Sequence, residues 1–186
     1  MMAELNILNH VARQYRASLT MLGHAVEMCS ETLWLDESYT NRYWHIAYHA
    51  LFYTHLYLQR SEADFRPWAK HRQDCQYLGP RPWAPQEPRK VETPYTKADV
   101  LDYHVICCAE VEARVPGLEL EAPSGFSWLP FNKMELQFYN IRHIQHHTGQ
   151  LSAFLRSRGE TFQGPKVLRW GSSGWPSAPT PPHPYP

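Results

Sequence analysis

The sequence predicts an all-α protein whose long helices form a four-helix bundle with long crossover connections. Four segments carry apolar side chains at helical spacing without an interior proline, and stretches rich in proline and glycine separate the later ones. No segment has the strict two-residue alternation that is typical of a half-buried strand. The 186 residues suit one domain with a sizeable core, and we place that domain at residues 1–165.

The first two predicted helices lie in the N-terminal third of the chain. Residues 4–30 carry an apolar stripe at three- and four-residue spacing, which indicates an amphipathic helix. Residues 41–60, "NRYWHIAYHALFYTHLYLQR", are apolar on nearly all sides, and this is typical of a largely buried helix. Ser38 or Asn41 is placed to cap the start of that second helix.

A long connection follows at residues 61–95. Its repeated prolines exclude a long helix. A connection of this length between helices is unusual and indicates either a functional segment or a crossover between distant helix ends. Trp68, Tyr77 and Trp83 within it predict that the segment packs onto the domain.

The last two predicted helices flank a second, shorter loop. Residues 96–115 begin with Thr96 and carry Asp99 three positions later, a variant of the capping-box spacing. Residues 132–158 again place apolar side chains at helical spacing, and Gly159 is a typical residue just beyond a helix end.

The C-terminal segment, residues 166–186, is set apart by its composition. It ends in "GSSGWPSAPTPPHPYP", and this proline content predicts extended chain, polyproline II or disorder. We therefore treat the segment as a tail outside the bundle, and a neighbouring subunit or the chain's own domain is a candidate surface for it to pack on.

Charge and composition exclude several classes of protein. With 18 basic and 18 acidic residues the formal net charge is zero, so no basic stripe favours nucleic acid and no basic amphipathic run favours a membrane surface. The apolar runs are too short to span a bilayer, and the N-terminus does not resemble a signal peptide. We therefore expect a cytoplasmic protein. The four cysteines lack a CxxC pair and are expected to be reduced thiols.

Three histidines stand within five positions of the fourth predicted helix, in "RHIQHHTGQL". On a helix, residues four apart differ by about 40° in direction, and adjacent residues by about 100°. His143 can therefore share a face with His147 or with His146, whereas His146 and His147 diverge. The i, i+4 spacing is that of helical two-histidine metal sites. A zincin-type protease is unsupported because Ile144 stands where its glutamate would be.

A tight metal site needs a third ligand, and the second predicted helix offers His45, His49 and His55. His45 and His49 share a face, so the spacing leaves both open. If the second and fourth helices run parallel, their histidines lie at comparable depths, and the long connection supplies the crossover that parallel neighbours require. Imidazole ligands favour zinc, nickel or iron over magnesium or calcium.

Two motifs resemble the DinB-like superfamily. "HIQHHTGQL" resembles the signature of its fourth helix, and "YWHIAYHALFY" resembles its histidine-bearing second helix. The order of helices and the long loop also match, and the resemblance covers roughly residues 5–160. It implies a crossover four-helix bundle that holds a divalent metal through His49, His143 and His147.

The resemblance also implies a function, because relatives include transferases and isomerases that use low-molecular-weight thiols. We expect a metal-dependent thiol transferase or a related enzyme that acts on a small molecule, with a hydrolase as a further possibility. No carboxylate stands near the histidine pair as a general base, since Asp and Glu are absent from residues 136–159. The alternative is a non-catalytic metal-binding or stress-response bundle. A homodimer is expected in either case.

Gly149 and Gln150 complete the motif. A glycine inside a helix costs up to about 1 kcal/mol relative to alanine. Close helix packing near the site would explain Gly149, and a glycine that is merely tolerated is the alternative. Gln150 receives no catalytic role from the sequence.

Overall fold

The computed structural model describes residues 2–87 and 93–159, with the side chains of residues 2–5 left undescribed. These residues are mostly helical, and within them the only strand-like pairings are two isolated β-bridges, so the all-α class is confirmed. The helices are α1 (Met2–Met28), α2 (Glu31–Trp34), α3 (Tyr43–Tyr57), α4 (Lys97–Arg114) and α5 (Lys133–Ser157), with one 3₁₀ turn at Val115–Gly117.

The helix boundaries agree with the sequence except near the start of α3. Thr96 and Asp99 form the expected capping box at α4, and Gly159 follows α5 with a φ of +64°. The short helix α2 was not predicted. At α3, Arg42 is the N-cap residue and makes no side-chain capping bond, so the prediction of a Ser38 or Asn41 cap is wrong.

The four long helices contact one another in the cyclic order α1, α4, α3, α5. Helices α3 and α5 run antiparallel, because Tyr57 contacts Tyr139 and His49 contacts His147. The parallel arrangement, under which the sequence placed their histidines at comparable depths, is not found for these two helices.

Two pairs of neighbouring helices run parallel. For α3 and α4, the rings of Trp44 and Tyr95 meet before one end of the pair and Gln59 bonds Glu110 at the other. For α1 and α5, Tyr15 bonds Gln137 near the start of α5, and Tyr43 contacts both Ala25 and Phe154 near the other end.

A long connection instead joins the parallel helices α3 and α4. The connection of residues 58–96 carries the chain from the end of α3 back to the start of α4, and residues 88–92 of it lie outside the described part. Trp68 is buried within it, as expected, with its ring stacked 4.7 Å from that of Tyr103. Trp83 is instead 62% exposed.

One buried lysine joins the ends of α3 and α5. The Lys133 ammonium donates to the backbone oxygens of Gln59 and Arg60 at 2.9 and 2.8 Å and to that of Ser124. Burial lowers the pKa of Lys133 to about 8, because removal from water disfavours the charged form. These bonds hold the first turn of α5 against the residues that directly follow α3.

Three further sequence predictions concern membrane-spanning segments, disulfides and the domain boundary. None of the helices in the described ranges has the length and apolar character that a membrane-crossing segment requires. The four cysteines form no disulfide. The domain boundary at residue 165 and the tail at 166–186 lie outside the described residues.

Two glycines give a matched test of backbone conformation. A Cβ at Gly149 would meet nothing within 4 Å, so close packing does not explain this residue. A Cβ at Gly125, which has a φ of +88°, would lie 2.2 Å from the carbonyl oxygen of Arg60.

We therefore expect Gly149→Ala to stabilise the fold by about 0.5–1 kcal/mol and Gly125→Ala to destabilise it by about 2 kcal/mol or more. Urea unfolding of both variants measures these changes. A loss of stability in Gly149→Ala would contradict the open surroundings of that position.

Candidate metal centre

Three histidines meet at the interface of α3 and α5. His49 lies near the middle of α3, and His143 and His147 lie one turn apart on α5. The antiparallel packing places the His49 ring 5.0 Å from that of His143 and 4.6 Å from that of His147, measured between centroids. His147 is buried, and the other two rings are half-buried.

The three rings turn their Nε2 atoms toward one point. The Nε2 atom of His143 lies 3.1 Å from that of His49 and 3.1 Å from that of His147. The three ligand atoms all lie within 4.8 Å of one another. Two nitrogens bound at 2.0–2.1 Å to one ion would be separated by roughly 2.9–3.4 Å at octahedral to tetrahedral angles. The cluster can therefore hold a metal ion.

The structure separates the candidate third ligands that the sequence left open. His45, on the same helix as His49, points Nε2 at the carbonyl oxygen of Cys75, 2.5 Å away. The Nδ1 atom of His55 lies 3.2 Å from the hydroxyl oxygen of Tyr103. His146 is exposed and is not part of the cluster. Of the candidates on α3, only His49 joins His143 and His147.

The outer nitrogens of two rings fix which tautomer is present. The Nδ1 atom of His49 lies 2.6 Å from the backbone oxygen of Gln76, and that of His147 lies 2.8 Å from the side-chain oxygen of Gln150. Because an oxygen of this kind only accepts, each Nδ1 carries the proton. The lone pairs of both rings are therefore on Nε2 and face the shared point, which is the arrangement typical of metal-ligating histidines.

The His143 ring has a nitrogen without a hydrogen-bond partner in the described part of the chain. The Nδ1 atom of His143 is buried and has no hydrogen-bond partner among the described residues. Its Nε2 faces two lone pairs, and a single N–H there can satisfy only one of them. A cation at the shared point would satisfy all three Nε2 atoms at once. The donor set therefore fits a divalent metal bound by neutral imidazoles.

Burial keeps these imidazoles neutral. It lowers the pKa of His49 well below its usual range and that of His143 to about 3, with the neighbouring histidines adding to both shifts. Burial also lowers the pKa of His147, against a smaller opposing effect of the Gln150 bond. Neutral imidazole is the form that binds metal.

Aromatic rings line one side of the histidine cluster. We call Tyr53, Tyr57, Tyr77 and Tyr139 the tyrosine wall. The ring of Tyr53 lies 4.8 Å from His49 and 5.5 Å from His143. Burial raises the pKa of Tyr53, and proximity to Tyr77 and Tyr139 adds to this shift. The side chains of α3 and α5 thus supply both the ligands and part of the surrounding surface.

Sequence reasoning missed two of these features for different reasons. Gln150 stands three positions after His147, so helical spacing could have indicated their contact. Gln76 acts through a backbone oxygen from the long connection, which no residue pattern indicates. The hydroxyl of Tyr48, next to His49 in the chain, contacts Nδ1 of His71 at 2.5 Å.

No protein-family model, no curated protein and no solved structure matches this chain. The candidate site is therefore defined by its own geometry.

Replacement of Gln150 tests the anchoring of His147. Gln150→Leu removes the acceptor for Nδ1, and loss of such an outer partner typically costs about 10–100-fold in metal affinity. Competition with a chromophoric chelator measures this loss for Zn²⁺. Gln145→Leu makes the same chemical change one turn away and should leave the affinity unchanged. Equal affinities in the two variants would contradict the anchoring role.

The lowered histidine pKa values predict that the metal-free fold loses stability in acid. A histidine of ordinary pKa near 6.5 protonates in the unfolded chain while the buried ring stays neutral, so stability falls as the pH drops below 6.5. The His143 ring, whose pKa is lowered to about 3, contributes about 1.4 kcal/mol of loss between pH 7.5 and 5.5.

Urea unfolding at these two pH values measures the loss. His143→Gln should reduce the pH dependence, because it removes the ring whose pKa burial lowers to about 3. An unchanged pH dependence in His143→Gln would argue against a neutral buried ring at this position.

Proposed function

We propose that the protein is a divalent-metal protein of the DinB-like type, with His49, His143 and His147 as its metal ligands. The observation that carries this proposal is the convergence of the three Nε2 atoms, two of which are 3.1 Å from the third. The anchored Nδ1 atoms of His49 and His147 support it, because they direct lone pairs at the shared point.

The helix directions support the DinB-like part of the proposal. That resemblance implies a four-helix bundle with a crossover, and the long connection between the parallel helices α3 and α4 is of this kind. We propose that α1, α3, α4 and α5 are the four helices of this bundle. The resemblance itself remains a prediction from the two histidine motifs.

The proposed activity is that of a metal-dependent thiol transferase or a related enzyme acting on a small molecule. Among the described residues no fourth His, Cys, Asp or Glu joins the cluster, and a site with three protein ligands leaves room for an exchangeable ligand. A bound metal would act as a Lewis acid and would lower the pKa of a thiol or water that it binds. Zinc, nickel and iron are the metals that suit imidazole ligands. We also propose that the protein resides in the cytoplasm.

A non-catalytic metal-binding or stress-response homodimer is the second candidate. The observation in its favour is the apolar groove between α1 and α5, where Ile7 is 38% exposed and Phe138 is 55% exposed. This groove has a volume of about 370 Å³. Neither candidate involves nucleic acid or a membrane as a partner.

The metal content of the untagged protein tests the proposed ligands. We expect close to one divalent ion per chain in the wild type and a loss of at least tenfold in affinity in His147→Ala, since one of three ligands is removed. His146→Ala is the matched control, because the exposed His146 neighbours the cluster without joining it. Elemental analysis after dialysis gives the metal content of all three proteins.

Unchanged metal content in His147→Ala would overturn the proposed site. A screen of the metal-loaded protein with several low-molecular-weight thiols then distinguishes the two candidates. Thiol transfer that is lost in His147→Ala supports the enzyme, and a metal-loaded protein inactive with every thiol supports the second candidate.

A further inference from the structure

The two helices that carry the metal ligands provide almost no negative charge. Helix α3 contains no Asp or Glu, and α5 contains only Glu135, two turns before His143. Asp74, in the connection that contacts His49, pairs with Arg81 at 3.4 Å. Three neutral imidazoles therefore leave the charge of a divalent ion uncompensated in partly buried surroundings, and this favours an anionic exchangeable ligand.

The tyrosine wall supplies an aromatic surface beside this charge, in which Tyr53, Tyr77 and Tyr139 are half-buried and Tyr57 is buried. Tyr53 lies against two of the three histidines, and its ring is 5.6 Å from that of Tyr57. Tyr57 in turn lies 5.6 Å from Tyr139, edge to face. Aromatic faces of this kind bind planar apolar groups in offset or edge-to-face contact.

The wall also carries hydrogen-bond donors and a cation. Tyr53 is half-buried and carries a phenol hydroxyl. A phenol hydroxyl is protonated at neutral pH and can donate to an oxygen anion. At the edge of the wall, the Arg142 guanidinium lies 5.4 Å from the centroid of the Tyr139 ring.

We propose that this site takes a small molecule with a flat apolar body and one carboxylate group. The carboxylate would occupy the exchangeable metal position and accept a hydrogen bond from Tyr53, and the apolar body would lie along the tyrosine wall. This inference names the ligand class of the proposed metal centre and therefore rests on that centre.

Spectral titration of the Co²⁺-loaded full chain tests the ligand class without any assay of activity. Co²⁺ replaces zinc in histidine sites, and its visible spectrum responds to a change of ligand. We expect benzoate to shift the spectrum at a concentration about tenfold lower than acetate, because only benzoate contacts the wall. Benzylamine, which has the same ring and a positive charge, should cause no shift.

Tyr53→Phe tests the hydrogen bond while keeping the ring. Loss of one bond to a charged group should weaken benzoate binding by about tenfold or more, and the Co²⁺ spectrum without benzoate shows whether the centre is intact. Tyr39→Phe is the matched control, since Tyr39 stacks on Phe154 about two turns beyond His147.

The outcomes separate this inference from the metal centre. A chain that binds no Co²⁺ would overturn both. A Co²⁺-loaded chain that responds equally to benzoate and acetate, or whose benzoate affinity is the same in Tyr53→Phe and wild type, would overturn the ligand class and leave the metal centre standing.

Discussion

The antiparallel packing of α3 against α5 is the contact on which the candidate site depends. It sets His49 opposite the one-turn pair of His143 and His147, and a shift of α5 by one turn, about 5.4 Å, would separate the three nitrogens. Lys133 fixes this register at the far end of the pair through backbone oxygens of Gln59, Arg60 and Ser124. A buried ammonium without these acceptors would be strongly unfavourable, so the contact is specific.

The long connection contributes to the site as well as to the topology. Asp74 adopts a left-handed backbone conformation with a φ of +65°, and the backbone oxygens of the next two residues both reach α3. That of Cys75 contacts His45, and that of Gln76 contacts His49. The loop packed on α3 thus supplies two backbone acceptors to histidines of that helix.

The burial that organises the histidines also has a cost. The lone pairs of the neutral rings converge, and the buried Nδ1 atom of His143 has no partner in the described part of the chain. Both features make the fold less stable than an apolar contact of the same shape would. An arrangement with such a cost is typical of sites organised for a ligand rather than for stability. The surrounding aromatic core of α3 supplies the compensating apolar burial.

The sequence by itself determined the helical class and the extent of the long helices, and it placed His143 on one helix face with either His146 or His147. These are local properties, since apolar periodicity, capping residues and the i, i+4 spacing act within one element. Only the tertiary structure decided between His45 and His49, because the two share a helix face and differ in which loop carbonyl or facing helix they meet. It also decided the direction of α3 relative to α5, the anchoring of His49 by Gln76, and the open surroundings of Gly149. These depend on contacts between residues far apart in the chain, which no local spacing encodes.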